Sequence, residues 1–110
     1  MRSEELRIAK TESRFRDVNE RIAETAEQIG ANEAEIVCEC ADPECGERIA
    51  APLADYEETR AEGSHFLVSP GHEEHGHERV VKTRPGFRII EKLRSVGAVA
   101  QRLDPRRASA

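Results

Sequence analysis

The chain has 110 residues, 12.3 kDa, which is one domain's length, and a chain this short buries only about two-thirds of its unfolded surface. Charged residues make up 35% and hydrophobic ones 37%, with no Trp and a formal charge of −5, so the core is small and an added staple would help it. No apolar run approaches the ~18 residues of a membrane span and no signal-peptide pattern opens the sequence, so a soluble, cytoplasmic protein is expected.

Residues 3–30 read as one long helix. Ser3 offers an N-cap, and Gly30 suits the position just past the C-terminus. Ile8, Phe15, Ile22 and Ile29 recur at spacing seven, with Thr11, Val18 and Thr25 between them. Such a narrow seam suits a coiled coil with a second copy, or a helix lying on its own small sheet. The seam is expected to be buried either way.

After Asn32 the period changes to two. Residues 35–40 read as a strand, 41–44 as a turn and 47–50 as a return strand. Pro52 opens a short helix through Leu53, Tyr56 and Arg60, which Gly63 ends. Residues 65–68 form a third strand, 69–72 a turn and 72–78 a His- and Glu-rich loop. Residues 79–82 and 87–91 flank Arg84-Pro85-Gly86 as a hairpin. From Val96 onward two weak apolar turns lead into a basic end. The expected fold is α+β: a long N-terminal helix (1–30), a core with a small, mostly antiparallel sheet and a short helix (31–95), and a weakly structured basic tail (96–110).

Charge is unevenly spread. Residues 1–78 hold 8 Lys/Arg against 20 Asp/Glu, whereas residues 79–110 hold 9 against 2. Pairing of the basic end with the chain's own acidic part, or with a second copy, is the plain expectation. The basic residues are dispersed and only Phe87 lies among them, which does not make a stacking platform for nucleic acid. A protein partner is expected, a second copy through the N-terminal helix included, and no nucleic acid or membrane.

All three cysteines fall within eight residues: Cys38, Cys40 and Cys45. Their odd number, without a signal peptide, argues against a disulfide framework. Residues i and i+2 of a strand share a face, so Cys38 and Cys40 point together, and the Asp42-Pro43 turn brings Cys45 back. Gly46 lets the backbone approach the sulfurs. Three converging thiolates call for a cation, and Zn²⁺ favours thiolates in tetrahedral geometry. The plain alternative is three small buried thiols. All four histidines lie in residues 65–77. His72 is the expected fourth ligand, because Pro70-Gly71 fixes where it points; His65 is the runner-up, and His75 and His77 belong to a solvated loop.

The stretch Asn19-Glu20-Arg21-Ile22, the run Cys38 to Cys45, Tyr56-Glu57, the segment from Phe66 through Pro70-Gly71-His72-Glu73, and Glu91-Lys92 resemble a set of short actinobacterial proteins. Those carry the phrases FRxVNERI, CECAD, PGHE and VVEK in this order, often ending near DPR, and have no assigned activity. The resemblance runs from about Phe15 to Arg106. It implies that Cys38, Cys40, Cys45 and His72 belong to one site. Ile90 departs from the Val of the fourth phrase, and the loop after Glu73 is unusually rich in His.

Catalytic zinc sites usually keep an open position beside His and carboxylate ligands, and a thiolate-rich closed site has less Lewis acidity to offer. No H-E-x-x-H, nucleophile triad or phosphate-cradling Gly loop is present. The function expected is a zinc-binding interaction or regulatory module, not an enzyme. The alternative is a thiol-based redox or metal sensor, since zinc thiolates can be oxidised and release the ion.

Overall fold

The computed structural model describes residues 3–73 and 76–106. Helix α1 (Ser3–Gln28) is followed by strands β1 (Glu33–Val37) and β2 (Arg48–Pro52), helix α2 (Leu53–Arg60), strands β3 (His65–Val68), β4 (Glu78–Arg84) and β5 (Phe87–Lys92), and helix α3 (Arg94–Arg102). The α+β expectation holds, with the strands divided between two sheets. β1 and β2 form an antiparallel pair. β3, β5 and β4, in that order, form an antiparallel sheet of three. No helix among the described residues is long and apolar enough to cross a membrane.

Alternation sets the faces of the two-stranded sheet. Ala34 and Ile36 of β1 lie opposite Ala51 and Ile49 of β2, and all four are buried. In the larger sheet Phe66 faces Ile90 and Leu67 faces Ile89, and all four are buried, so the middle of this pair is apolar on both faces. Tyr56 of α2 joins this core. The predicted hairpin forms with Pro85-Gly86 as a two-residue loop between paired Arg84 and Phe87.

Helix α1 packs against β1 and α3, but not on the expected stripe. Ile8 is buried, whereas Phe15 and Ile22 are only partly covered and Ile29 is 76% exposed. The inward line runs Ile8, Glu12, Arg16, Asn19, Ala23, Ala26, which is the true helical period. A strict spacing of seven drifts about 20° per heptad across a straight helix, so the stripe slides off the core.

The segment expected as a weakly structured tail is largely helix α3. Val96 and Val99 pack with Ile8, Ala9 and Ala41 in a second small cluster. Gly97 permits this: a Cβ there would lie 2.5 Å from the Lys92 carbonyl oxygen, inside contact distance. The final residues, 107–110, lie outside those described.

The basic end pairs with the chain's own acidic part. Arg106 of the C-terminal segment reaches Glu20 of α1 and Glu57 of α2, at 2.7 and 2.8 Å. Arg60 sits between Glu20 (2.8 Å) and Asp104. Lys92 is buried between Glu12, at 2.6 Å, and Glu78. Arg16 donates to the carbonyls of Gly63 and Ala100, both at 2.7 Å, with its guanidinium 4.6 Å from the centre of the Phe66 ring.

Candidate metal centre

β1 ends at Val37, and the chain runs on through Cys38-Glu39-Cys40 as an extended connection. Cys38 N–H still donates to Glu47 O (3.0 Å), and Glu39 N–H crosses to Leu67 O of β3 (2.9 Å). Successive side chains of extended backbone alternate in direction. Cys38 and Cys40 therefore share one side, and Glu39 turns to the other. The Asp42 carboxylate accepts from Glu44 N–H (2.9 Å) and its carbonyl from Cys45 N–H (3.0 Å), an Asx turn that swings Cys45 back. On the facing segment, His72 N–H donates to Ser69 O (3.1 Å), closing a turn whose Gly71 has φ +87°. That left-handed position suits glycine, and with Pro70 before it the turn aims His72 at the sulfurs.

The ligand atoms of Cys38, Cys40, Cys45 and His72 lie within 4.8 Å of one another. His72 Nδ1 is 3.6 Å from both Cys38 Sγ and Cys45 Sγ. Zn–S bonds of ~2.3 Å and a Zn–N bond of ~2.0–2.1 Å at the tetrahedral angle separate S from N by about 3.6 Å. The donor set and its spacing fit a tetrahedral thiophilic ion. His72 Nε2 lies 2.6 Å from Glu47 Oε2. With Nε2–H donating to this carboxylate, the Nδ1 lone pair faces the sulfurs, the outer-shell pattern that orients a ligating imidazole.

The electrostatics of the ion-free cluster are uneven. The hydrogen bond with Cys40 holds the Cys38 thiol below its ordinary value against burial, and Ser69 N–H adds to it at 3.2 Å from the sulfur. That same contact with Cys38, with burial, pushes the Cys40 thiol far up. Burial also raises Cys45. His72 is raised by its contact with Cys40, against desolvation, and the Glu47 carboxylate adds to the rise. One thiol thus gives up its proton first while the others hold theirs, and a cation is what lets all three ionise together.

The amide that reaches a sulfur comes from Ser69; Gly46, assigned that part from the sequence, has open space around it. His65 stands apart, its Nε2 3.6 Å from Glu91 of the neighbouring strand. His77 lies at the start of β4, its carbonyl accepting from Leu93 N–H. His75 lies outside the described residues.

The residues that hold the cluster from behind escaped the sequence reading. Glu39 is fully buried and accepts from Asn19 Nδ2 (2.8 Å) and Leu67 N–H (2.9 Å). Burial pushes its carboxyl up, and the bonds from Asn19 and Leu67 pull against that. Asn19 also exchanges two 2.7 Å bonds with the Val37 backbone. One side chain thus binds α1 to the end of β1, and one carboxylate binds α1 and β3 to the middle of the Cys-x-Cys. The alternation held a clue: a residue between two same-facing cysteines must face the protein, and a carboxylate there needs donors.

Cys45 and His72 are half-buried at the surface, beside a shallow cavity of about 260 Å³ lined by Cys40, Asp42, His72 and Glu73. The cluster is closed from behind and reachable from the front. No protein-family model matches this chain, nor does any curated protein or solved structure.

Proposed function

We propose that the chain is a small zinc-binding interaction module of the cytoplasm, with one Zn²⁺ held by Cys38, Cys40, Cys45 and His72 in a structural role. The observation that carries this is the donor set: three sulfurs and an imidazole nitrogen within 4.8 Å of one another, two of the sulfurs 3.6 Å from the nitrogen, with Glu47 orienting the imidazole. A reducing compartment keeps such thiols free for metal. The ion would tie the β1–β2 connection to the turn after β3. Such a tie matters where 35% of the residues are charged and the core is small.

The closed ligand set leaves no coordination position for substrate, which favours a structural role over a catalytic one. The half-exposed Cys45 and His72 favour a second reading, a redox or metal sensor. Native mass spectrometry and zinc-edge absorption spectroscopy test the first. One zinc per chain with three sulfur and one nitrogen neighbours is expected. Full zinc occupancy in both Cys40→Ser and His72→Ala would overturn the ligand set. Reversible zinc release by mild peroxide, with refilling after thiol reductant, would favour the sensor.

A further inference from the structure

Four cations of α1 are left over from the charge pairing described above. Arg7, Lys10, Arg14 and Arg21 follow at spacings of three, four and seven, so they share one face of the helix. All four are exposed, and none makes an ion pair among the described residues. They are half of the 8 basic residues in the otherwise strongly acidic stretch 1–78. One carboxylate, Asp17, stands in the gap between Arg14 and Arg21, so the four cations outnumber it on this face.

Beside this line lies the apolar seam that the fold does not cover. Val18 is 40% exposed and Ile29 76%, with Phe15 and Ile22 half-buried beside them. A shallow cavity of about 300 Å³ opens among Leu6, Arg7, Lys10 and Arg14. The spacing of seven that fails as a core pattern is thus a surface pattern, flanked on one side by cations.

We propose that this face of α1 docks an acidic amphipathic helix of another protein, whose apolar stripe covers Val18 and Phe15 and whose carboxylates face Arg7, Arg14 and Arg21. This rests on the reading as an interaction module and not on its metal. Charge complementarity selects the occupant. A second copy on the same seam in antiparallel fashion would set these arginines against each other. In parallel fashion it would need the residues on the seam's other flank, and two of these, Glu12 and Asn19, are already buried within the domain. A nucleic acid would leave the apolar seam uncovered, and the net charge of −5 opposes it.

The probe is a fluorescein-labelled synthetic amphipathic helix with a leucine seam flanked by glutamates. Its controls are the same helix with lysines for the glutamates and one with serines for the leucines. The wild-type chain should bind the acidic helix at least ~tenfold more tightly than either control. Binding should weaken with salt. The combined Arg7→Glu, Arg14→Glu, Arg21→Glu variant should lose it, and Val18→Asp should weaken it. Both variants alter exposed residues, so melting temperature and zinc content, measured on the same samples, should match wild type. Equal binding of the lysine helix, undiminished binding by the charge-reversed variant, or tighter binding of a single-stranded DNA oligomer or anionic vesicles would overturn the proposal. A wild-type dimer in sedimentation that Val18→Asp dissociates would also overturn it, since the seam would then belong to a second copy. A wild-type chain that binds the acidic helix yet takes up no zinc would overturn the metal reading alone.

Discussion

Asn19 and Glu20 are neighbours on α1, yet they anchor two regions built from different chemistry. Asn19 leads into the cysteine cluster through Val37 and Glu39. Glu20 leads into a lattice of guanidinium and carboxylate groups with Arg60, Arg106, Asp104 and Glu57. The lattice brings its own counter-charges: every cation has a carboxylate within reach, and the pairs offset the cost of burying them. The cluster holds thiols whose joint ionisation needs a positive charge from outside. One region is complete as soon as the chain folds, and the other has a donor set that could hold an ion.

Removing the ion should separate the two regions most clearly. Cys40→Ser should release zinc and lower stability by about 4 kcal/mol where zinc stands near a thousand times its dissociation constant. The expected fall in Tm is roughly 20 °C, read by calorimetry with and without chelator. A chelator-insensitive melt in the wild type would show that the cluster does not staple the fold.

Arg60→Ala breaks the lattice: Glu20 keeps Arg106, but Asp104 loses its guanidinium. It should cost about 3 kcal/mol, because it leaves a largely buried carboxylate without its cation. Zinc content should stay at the wild-type level. Asn19→Ala removes three hydrogen bonds and should cost about 2 kcal/mol. It should also weaken zinc affinity, which Arg60→Ala should not. Competition with a chromophoric chelator measures that difference, and equal affinity in all three proteins would deny Asn19 its link to the cluster.

Acid should weaken the lattice in a defined sense. Burial pushes Glu20 up, but the hydrogen bonds from Arg106 and Arg60 outweigh it, and its carboxyl lies below the ordinary 4.5. Asp104 is likewise lowered, with the Arg106 amide and Arg60 prevailing over burial. For such groups the unfolded chain takes up protons first as pH falls. Their contribution is therefore full above about 4.5 and is lost as pH drops through the folded value. Urea melts of wild type and Glu20→Gln should differ at pH 7 and converge as pH falls through the lowered carboxyl value; a gap that persists in acid would mean that Glu20 acts through packing alone.

The smallest effects belong to the seam. Ile29→Ala should change stability by less than about 0.5 kcal/mol, because the side chain is 76% exposed. Ile22→Ala should cost about 1 kcal/mol as a partly covered residue. A loss of several kcal/mol at Ile29, measured by denaturant melts at micromolar concentration, would reveal a covering partner, a second copy of the chain.

Local rules made much of this protein legible. The helix over residues 3–30, the change to period two after Asn32, the strand at residues 65–68 and the Pro85-Gly86 hairpin all follow from backbone preferences that act over a few residues. So does the convergence of Cys38, Cys40 and Cys45, since alternation and one turn suffice to gather them. His72 is a step further: its local turn aims it, but the meeting with the cysteines is made by the packing of β3 beside the extended Cys-x-Cys segment.

What only the tertiary structure decided are the polar contacts across distant segments. Alternation turns Glu39 away from the cysteines, but its burial is made favourable by Asn19 and Leu67, which supply donors from 20 and 28 residues away. The face of α1 was misjudged for the same reason. Its inward residues Glu12, Arg16 and Asn19 are hydrophilic by type, and only their partners on β1, β5 and the 63–100 region make burial favourable. A weakly apolar segment became helix α3 because Gly97 lets it approach the Lys92 carbonyl and Ile8 receives Val96 and Val99. Sequence periodicity reports where apolar side chains fall, whereas a buried ion pair or hydrogen bond depends on two groups that meet only when the chain has folded.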